Sequence, residues 1–406
     1  MPRSSIVDYA DAVRVRYVKA SKSGKGIILS EFCQTTGLHR KSAIRLLHRA
    51  PQPRLEHRGR PRTYGGEVAQ ALEVVWRAVD CACSKRLAPF LPELVPILER
   101  HGELHCSASV REDLISLGSS TIDRLLKPVR MYRLRHPHLH VRSPTAVKGR
   151  VPVRTFGEWA NAPVGSMQVD LVLHCGNSTS GFFLTSLVAV DVATGWTECT
   201  PVWGHTQPRV GGAIDRIRRM TPFGLVALHS DNGGEFLNEP LCRYCGNHGI
   251  AFTHGRPYKK NDQAYVEQKN WQVVRRMIGY DRWVSKEAYD LLLQLSTPVR
   301  LFVNFFQPLS KVVAKERIGS RVRKHYDQAR TPYQRLLEAK AMDEDTRHTL
   351  QELYPRLNPV RLLGQIDELV TQLRAVAVLD PVTKAILARK ARVLEARLAT
   401  ETQPAG

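Results

Sequence analysis

The sequence predicts an α/β protein: a mixed five-stranded sheet with helices, preceded by all-α helix-turn-helix regions and followed by a mainly helical C-terminal region. Three observations predict it. Runs rich in β-branched and aromatic residues, parted by glycine-containing turns, are concentrated between residues 166 and 253. On both sides of that stretch, apolar residues recur at three- and four-residue spacing. The chain is also strongly basic, with 60 Lys and Arg against 38 Asp and Glu, a formal charge of +22 over 406 residues. That length implies two to four domains, each large enough to bury a core. The charge makes nucleic acid the expected partner. A membrane surface is the rival, but no apolar run approaches the roughly 18 to 20 residues of a spanning helix. The start, Met1-Pro2-Arg3-Ser4-Ser5, is polar and unlike a signal peptide. We therefore expect a cytoplasmic protein with no membrane association. Eight scattered cysteines fit a reducing compartment better than a disulfide scaffold.

The first domain is expected over residues 1–64. Leu29, Phe32 and Cys33, then Thr36-Gly37, then Ala43, Ile44 and Leu47 read as two helices around a glycine turn, the grammar of a helix-turn-helix. The second helix keeps its apolar residues on one stripe and leaves Arg40, Lys41 and Arg45 as DNA-binding candidates. Residues 1–60 hold 13 Lys and Arg against 4 Asp and Glu, which strengthens that reading. Arg58-Gly59-Arg60-Pro61-Arg62 follows. It resembles an AT-hook, in which Arg60 would enter a narrow A·T-rich minor groove, and it reads equally as a basic linker. A second helical, helix-turn-helix-like domain is expected over 65–135. There Val110 to Leu117 and Ile122 to Leu126 flank Gly118. Residues 136–164, with four prolines from His136 to Pro163, read as a linker.

The core is expected over 165–284. Strands at 167–173, 182–190 and 196–202 have short connections and suggest an antiparallel meander. A helix at 207–220, a strand at 225–228, a helix at 240–248 and a strand at 250–253 follow. Past residue 285 the pattern is mainly helical to 406. Residues 311–335 carry eight Lys and Arg against two Asp and Glu. Leu362, Ile366, Leu369, Leu373 and Val376 form a short heptad-like seam, for which packing within the chain is the favoured reading.

Three acids fall at informative places on this plan. Asp170 lies among apolar residues of the first strand, where a carboxylate is costly to bury unless paired or metal-bound. Asp231 follows the fourth strand in Ser230-Asp231-Asn232-Gly233-Gly234-Glu235-Phe236. Glu267 lies in the helix that continues from Asn261-Asp262-Gln263-Ala264-Tyr265-Val266. Strand centre, strand end and helix can converge at a sheet edge. A dense carboxylate cluster there suits hard divalent cations, which prefer oxygen ligands. Two such ions about 3.5–4 Å apart can serve an in-line phosphoryl displacement.

With 35 residues between Asp231 and Glu267, these segments resemble the DDE core of retroviral integrases and of bacterial insertion-sequence transposases, over roughly residues 165–280. The resemblance implies an RNase H-like fold and Mg²⁺ or Mn²⁺, as two ions held by Asp170, Asp231 and Glu267. It also implies the activity of a DNA transposase, a D,D-35-E polynucleotidyl transferase: cleavage at transposon ends and transfer of the freed 3′-hydroxyls into target DNA. Double-stranded DNA would be the partner, and a homo-oligomer on DNA is expected because two ends must meet. Retroviral integrases place basic residues four and seven positions after the glutamate, where this chain has Trp271 and Val274. Lys259, Lys260 and Arg275 are the nearby DNA-binding candidates. A catalytically inactive DNA-binding regulator and a nuclease of the same fold are the alternatives. Cys242-Arg243-Tyr244-Cys245 with His248 approaches zinc spacing but lacks a fourth ligand. Glu235 is the other acid expected nearest the site. Trp196, Trp203 and Trp271 read as core or interface residues.

Overall fold

The computed structural model describes residues 3–49, 64–130, 162–256 and 263–378. The AT-hook-like segment with Arg60, most of the proline-containing linker, and Lys259 and Lys260 lie outside the described residues. The chain divides into two compact units, Met1–Thr63 and Tyr64–Gly406.

In the first unit, α1 (Arg3–Lys19), α2 (Lys22–Thr36) and α3 (Arg40–His48) enclose a small core of Ala10, Val13, Tyr17, Leu29, Phe32, Ala43 and Leu47. Ser21 caps α2 by accepting the Gly24 N–H, and α2 ends at Gly37, whose N–H returns to Cys33 O. The sequence pattern starts this helix at Leu29. It begins seven residues earlier because the cap at Ser21, not an apolar residue, sets its start. Arg40, Lys41 and Arg45 are exposed on α3.

The second unit opens with α4 (Gly66–Ala78), α5 (Ser84–Leu87), α6 (Leu91–Arg100), α7 (Ala108–Ser116) and α8 (Ser119–Arg130). Their apolar faces join the same buried cluster as the sheet that follows. The sheet comprises β1 (Ser166–Leu173), β2 (Thr185–Asp191), β3 (Thr197–Val202), β4 (Ala227–Ser230) and β5 (Ala251–His254), in the order β3-β2-β1-β4-β5. The first three strands form an antiparallel meander, while β4 and β5 add in parallel. The parallel connections run through α9 (Gln207–Met220) and α10 (Glu239–Asn247). The mixed five-stranded sheet with helices is therefore present as the sequence predicts.

Register refines the picture at β4. Apolar content places this strand at 225–228, but it runs two residues further, through His229 and Ser230, both fully buried. A buried polar pair is tolerable there because His229 Nδ1 and Thr253 Oγ1 on β5 share a hydrogen bond of 2.9 Å. The shift brings Asp231 immediately past the strand end.

Gly165 sets the start of this arrangement. Its φ of +92° disfavours any side chain, and an added Cβ would lie 2.1 Å from Gly224 O. Its carbonyl accepts from the N–H groups of Val226 and Ala227. We expect Gly165→Ala to destabilise the protein by about 2–4 kcal/mol, strain and clash combined, read as a lowered midpoint in denaturant unfolding.

A short helix, α11 (Ala264–Lys269), continues into a π-helical turn, Asn270–Arg275. Beyond it α12 (Lys286–Phe306) covers the edge of the sheet: the Asn304 amide donates to Thr197 O and accepts from Thr197 N, both at 2.8 Å. A hairpin, β6 (Val312–Ile318) and β7 (Arg321–Tyr326), interrupts the helical C-terminal region. Then come α13 (Pro332–Ala339), α14 (Glu344–Leu353) and α15 (Pro359–Ala375). Leu362, Ile366 and Leu373 of the heptad-like seam are buried on α15, which packs against α12 within the chain.

Candidate active site

The central strand β1 presents Gln168 and Asp170 on one face, two residues apart. Gln168 Oε1 accepts the N–H groups of Tyr265 (3.2 Å) and Val266 (3.3 Å), donors otherwise orphaned in the first turn of α11. Gln263, at the cap position itself, makes no side-chain cap bond. One buried glutamine thus fastens the helix carrying Glu267 to the strand carrying Asp170. The signal was present in the sequence: an uncharged polar residue in an apolar strand, two positions before the acid. Gln168→Leu would keep the volume but strand two backbone donors. We expect it to cost about 1–3 kcal/mol, read as a lowered midpoint of thermal unfolding.

Asp170 Oδ2 accepts from Asn270 Nδ2 at 2.6 Å, and its Oδ1 accepts from Leu171 N at 2.8 Å. Despite these bonds its carboxyl is pushed up to about 7, first by burial, then by the negative charge of Asp231, with a further push from Glu267. Asp231 is also held above the ordinary carboxylate range, by burial and by Glu235, against a 2.9 Å bond from Gly233 N. The repulsion between Asp170 and Asp231 shows on Asp170. Glu267 is exposed, in the first turn of α11. The strand centre, the end of β4 and the start of α11 therefore bring Asp231 and Glu267 within electrostatic reach of Asp170. Among the described residues, no three His, Cys, Asp or Glu side chains stand close enough together to grip an ion as they are.

Glu235 folds back so that its carboxyl group lies within 2.8 Å of where a Gly233 side chain would begin, beside Asp231. That glycine is needed for the close approach. Asn232 donates from Nδ2 to Gly255 O at 2.9 Å, tying the loop after β4 to the end of β5.

The basic residues after Glu267 are turned to structural contacts. Lys269 is buried, and burial with nearby Arg86 pushes its ammonium down to about 8. Arg275, partly buried, donates to Leu173 O at 2.9 Å and lies over the Tyr280 ring at 4.8 Å. Arg276 pairs with Asp80 at 2.9 Å. Gln272 reaches Gln307, which donates to Val79 O at 2.8 Å. The π turn redistributes these side chains so that the helix carrying Glu267 is clamped to β1 and to the end of α4; such turns cluster at functional sites. Of the tryptophans, Trp196 is buried as the sequence suggests, whereas Trp271 is 47% exposed beside the site. Cys242 and Cys245 lie on α10 without a disulfide, and among the described residues they form no metal-holding group.

The family comparison agrees with this core. An integrase core domain model matches residues 160–260, which include Asp170 and Asp231 and stop short of Glu267. An uncharacterized protein, y4rM of Sinorhizobium fredii, is 42% identical over 319 residues, 79% of this chain and 91% of the relative. The Pro-Pol polyprotein of a simian foamy virus is 26% identical over 133 residues, 32% of this chain, and the match spans only 11% of that polyprotein. The catalytic core domain of a BIV integrase matches 44% of this chain and 96% of its own at 22% identity, with a TM-score of 0.30.

Proposed function

Since this chain belongs to the family of the Sinorhizobium fredii protein y4rM and carries an integrase core domain, we propose that it is a DNA transposase. On this reading it cleaves the ends of its element and joins the 3′-hydroxyls to target DNA. The observation that carries the proposal is the placing of Asp231 and Glu267 near the buried strand acid Asp170, whose carboxyl is raised first by burial and then by their charges. Two further carboxylates close enough to raise the proton affinity of a buried one fit a cation better than a structural role.

Asp170, Asp231 and Glu267 would hold Mg²⁺ or Mn²⁺. When bound, the metal supplies Lewis-acid stabilisation of charge on the phosphate and lowers the pKa of an attacking hydroxyl or water. Asn270 keeps the Asp170 carboxylate turned toward the site. Gln168 fixes the first turn of α11, so that Glu267 stays within electrostatic reach of Asp170. The exposed cations of α3, Arg40, Lys41 and Arg45, would contact the element's ends, the role a helix-turn-helix gives its second helix.

The test is a strand-transfer assay on duplexes taken from the DNA flanking the coding sequence, with Mg²⁺ or Mn²⁺. Covalent joints between donor end and target are the expected products. Hydrolysed ends without joints would instead indicate a nuclease. Tight DNA binding with neither product would indicate a regulator. Because joining needs two ends, sedimentation of the paired-end complex should show more than one protomer.

A further inference from the structure

The β6–β7 hairpin contributes nothing to the core: every residue of β6 is exposed, and Val322 and Tyr326 on β7 are more than half exposed. A free two-stranded ribbon is marginal in water, so its order must come from its base. There the strands are held firmly. Lys311 N donates to Asp327 Oδ1 at 2.7 Å and Asp327 N to Lys311 O at 3.0 Å. Arg335 pairs with Asp327 at 2.7 Å and also reaches Leu309 O at 2.9 Å. Lys311 Nζ donates to Val192 O and Ala193 O, in the turn between β2 and β3. The ribbon is thus a projecting blade on a rigid mount, turned at its tip by Gly319 with a φ of 60°.

Its two faces differ. The register pairs Lys315 with Lys324 and Arg317 with Val322, so side chains two apart place Lys315, Arg317 and Lys324 on one face with Val322 and Tyr326. The ribbon's acid, Glu316, lies on the other face, at the register position opposite Arg323 and 3.4 Å from His325. The first face therefore carries three cations and no acid beside its exposed apolar groups, whereas the second sets its cations against Glu316. At about 3.4 Å per residue the strands are roughly 20 Å long, which spans more than half a turn of duplex. A two-stranded ribbon fits the major groove.

We propose that this face is a duplex-binding ribbon. Lys315, Arg317 and Lys324 contact phosphates, while Val322 and Tyr326 lie against sugar or thymine methyl groups. The inference rests on the reading of DNA as substrate, and it adds a contact surface on the core unit that is separate from α3.

The test uses the full chain and 30-base-pair duplexes of arbitrary sequence, with affinity measured between 50 and 200 mM salt. Each lost phosphate contact should reduce the slope of log K against log salt by about 0.9. Arg317→Ala with Lys324→Ala should therefore lower it by about 1.8, whereas Arg317→Lys with Lys324→Arg should keep it. Both pairs are exposed, so unchanged thermal unfolding checks the fold. An unchanged slope in the alanine variant overturns the proposal. So does an unchanged slope accompanied by altered self-association, which would make the ribbon a protein contact. Either result leaves the transposase reading standing if the wild type still binds duplex and cleaves. Absence of any duplex binding by the wild type would sink both.

Discussion

Asp231→Asn should lose at least about 10³-fold in metal-dependent cleavage and joining while keeping its affinity for duplex DNA. The substitution is nearly isosteric. The amide can still accept from Gly233 N, which holds the loop after β4 in place. What it removes is one charge of the cluster. A thousandfold loss corresponds to about 4 kcal/mol of transition-state stabilisation, a reasonable share for one ligand of a catalytic metal in a site where charge develops on a phosphate. Glu267→Gln should behave in the same way. The expected separation is sharp because Arg40, Lys41 and Arg45 belong to the other compact unit and the ribbon's cations to elements that carry none of the three acids. Rates on flanking-sequence duplexes, with affinities measured in parallel, check it. Full activity in either variant would remove that residue from the chemistry.

Asp170→Asn should raise the thermal stability of the metal-free protein, most strongly near and above pH 7. The sign follows from the direction in which the carboxyl is displaced. In the folded protein it sits at about 7, above its ordinary value of 3.8, so the folded state binds the proton more tightly than the unfolded chain. The stability contributed by that proton is full below about pH 4 and is lost as pH rises through about 7. Each tenfold gain in proton affinity is worth about 1.4 kcal/mol, so the penalty at neutral pH amounts to a few kcal/mol. An amide cannot ionise and escapes it, although Asn270 must then rotate to keep its bond. Divalent metal should relieve the same penalty in the wild type, raising its unfolding temperature by linkage. The Asp170→Asn protein should respond little. Unfolding curves from pH 4 to 8, with and without Mn²⁺, test both halves. A wild type as stable at pH 8 as at pH 4 without metal would contradict the first.

The parts of this site legible in the sequence are those that depend on neighbours along the chain. Asp231 was readable because it ends an apolar strand just before a glycine pair, and Glu267 because a cap-like start and helical spacing surround it. The succession of strands and helices along the chain and the antiparallel meander followed from turn signals between β-branched runs, whereas the parallel pairing of β4 with β1 did not. The rest depends on contacts far apart in sequence. The bond from Asn270 to Asp170 spans 100 positions and that from Val266 to Gln168 spans 98. Nothing local announces them, beyond Asn270 lying one helical step past Glu267. The inward turn of Arg275 depends on the π turn, which moves side chains around the helix in a way that 3.6-residue spacing does not foresee. The ribbon was visible only as a basic stretch, because its alternation of charged and β-branched residues around Gly319-Ser320 falls between strong helical signals.

Whether Asp170, Asp231 and Glu267 form one divalent-metal site is decided by calorimetric titration of the full protein with Mn²⁺. Saturable binding to the wild type is expected, with proton release at pH 6.5 as the metal displaces the proton from Asp170 and far less release at pH 8.5. That binding should be lost in Asp170→Asn, Asp231→Asn and Glu267→Gln alike. Equal Mn²⁺ affinity in the wild type and all three variants would contradict a shared site.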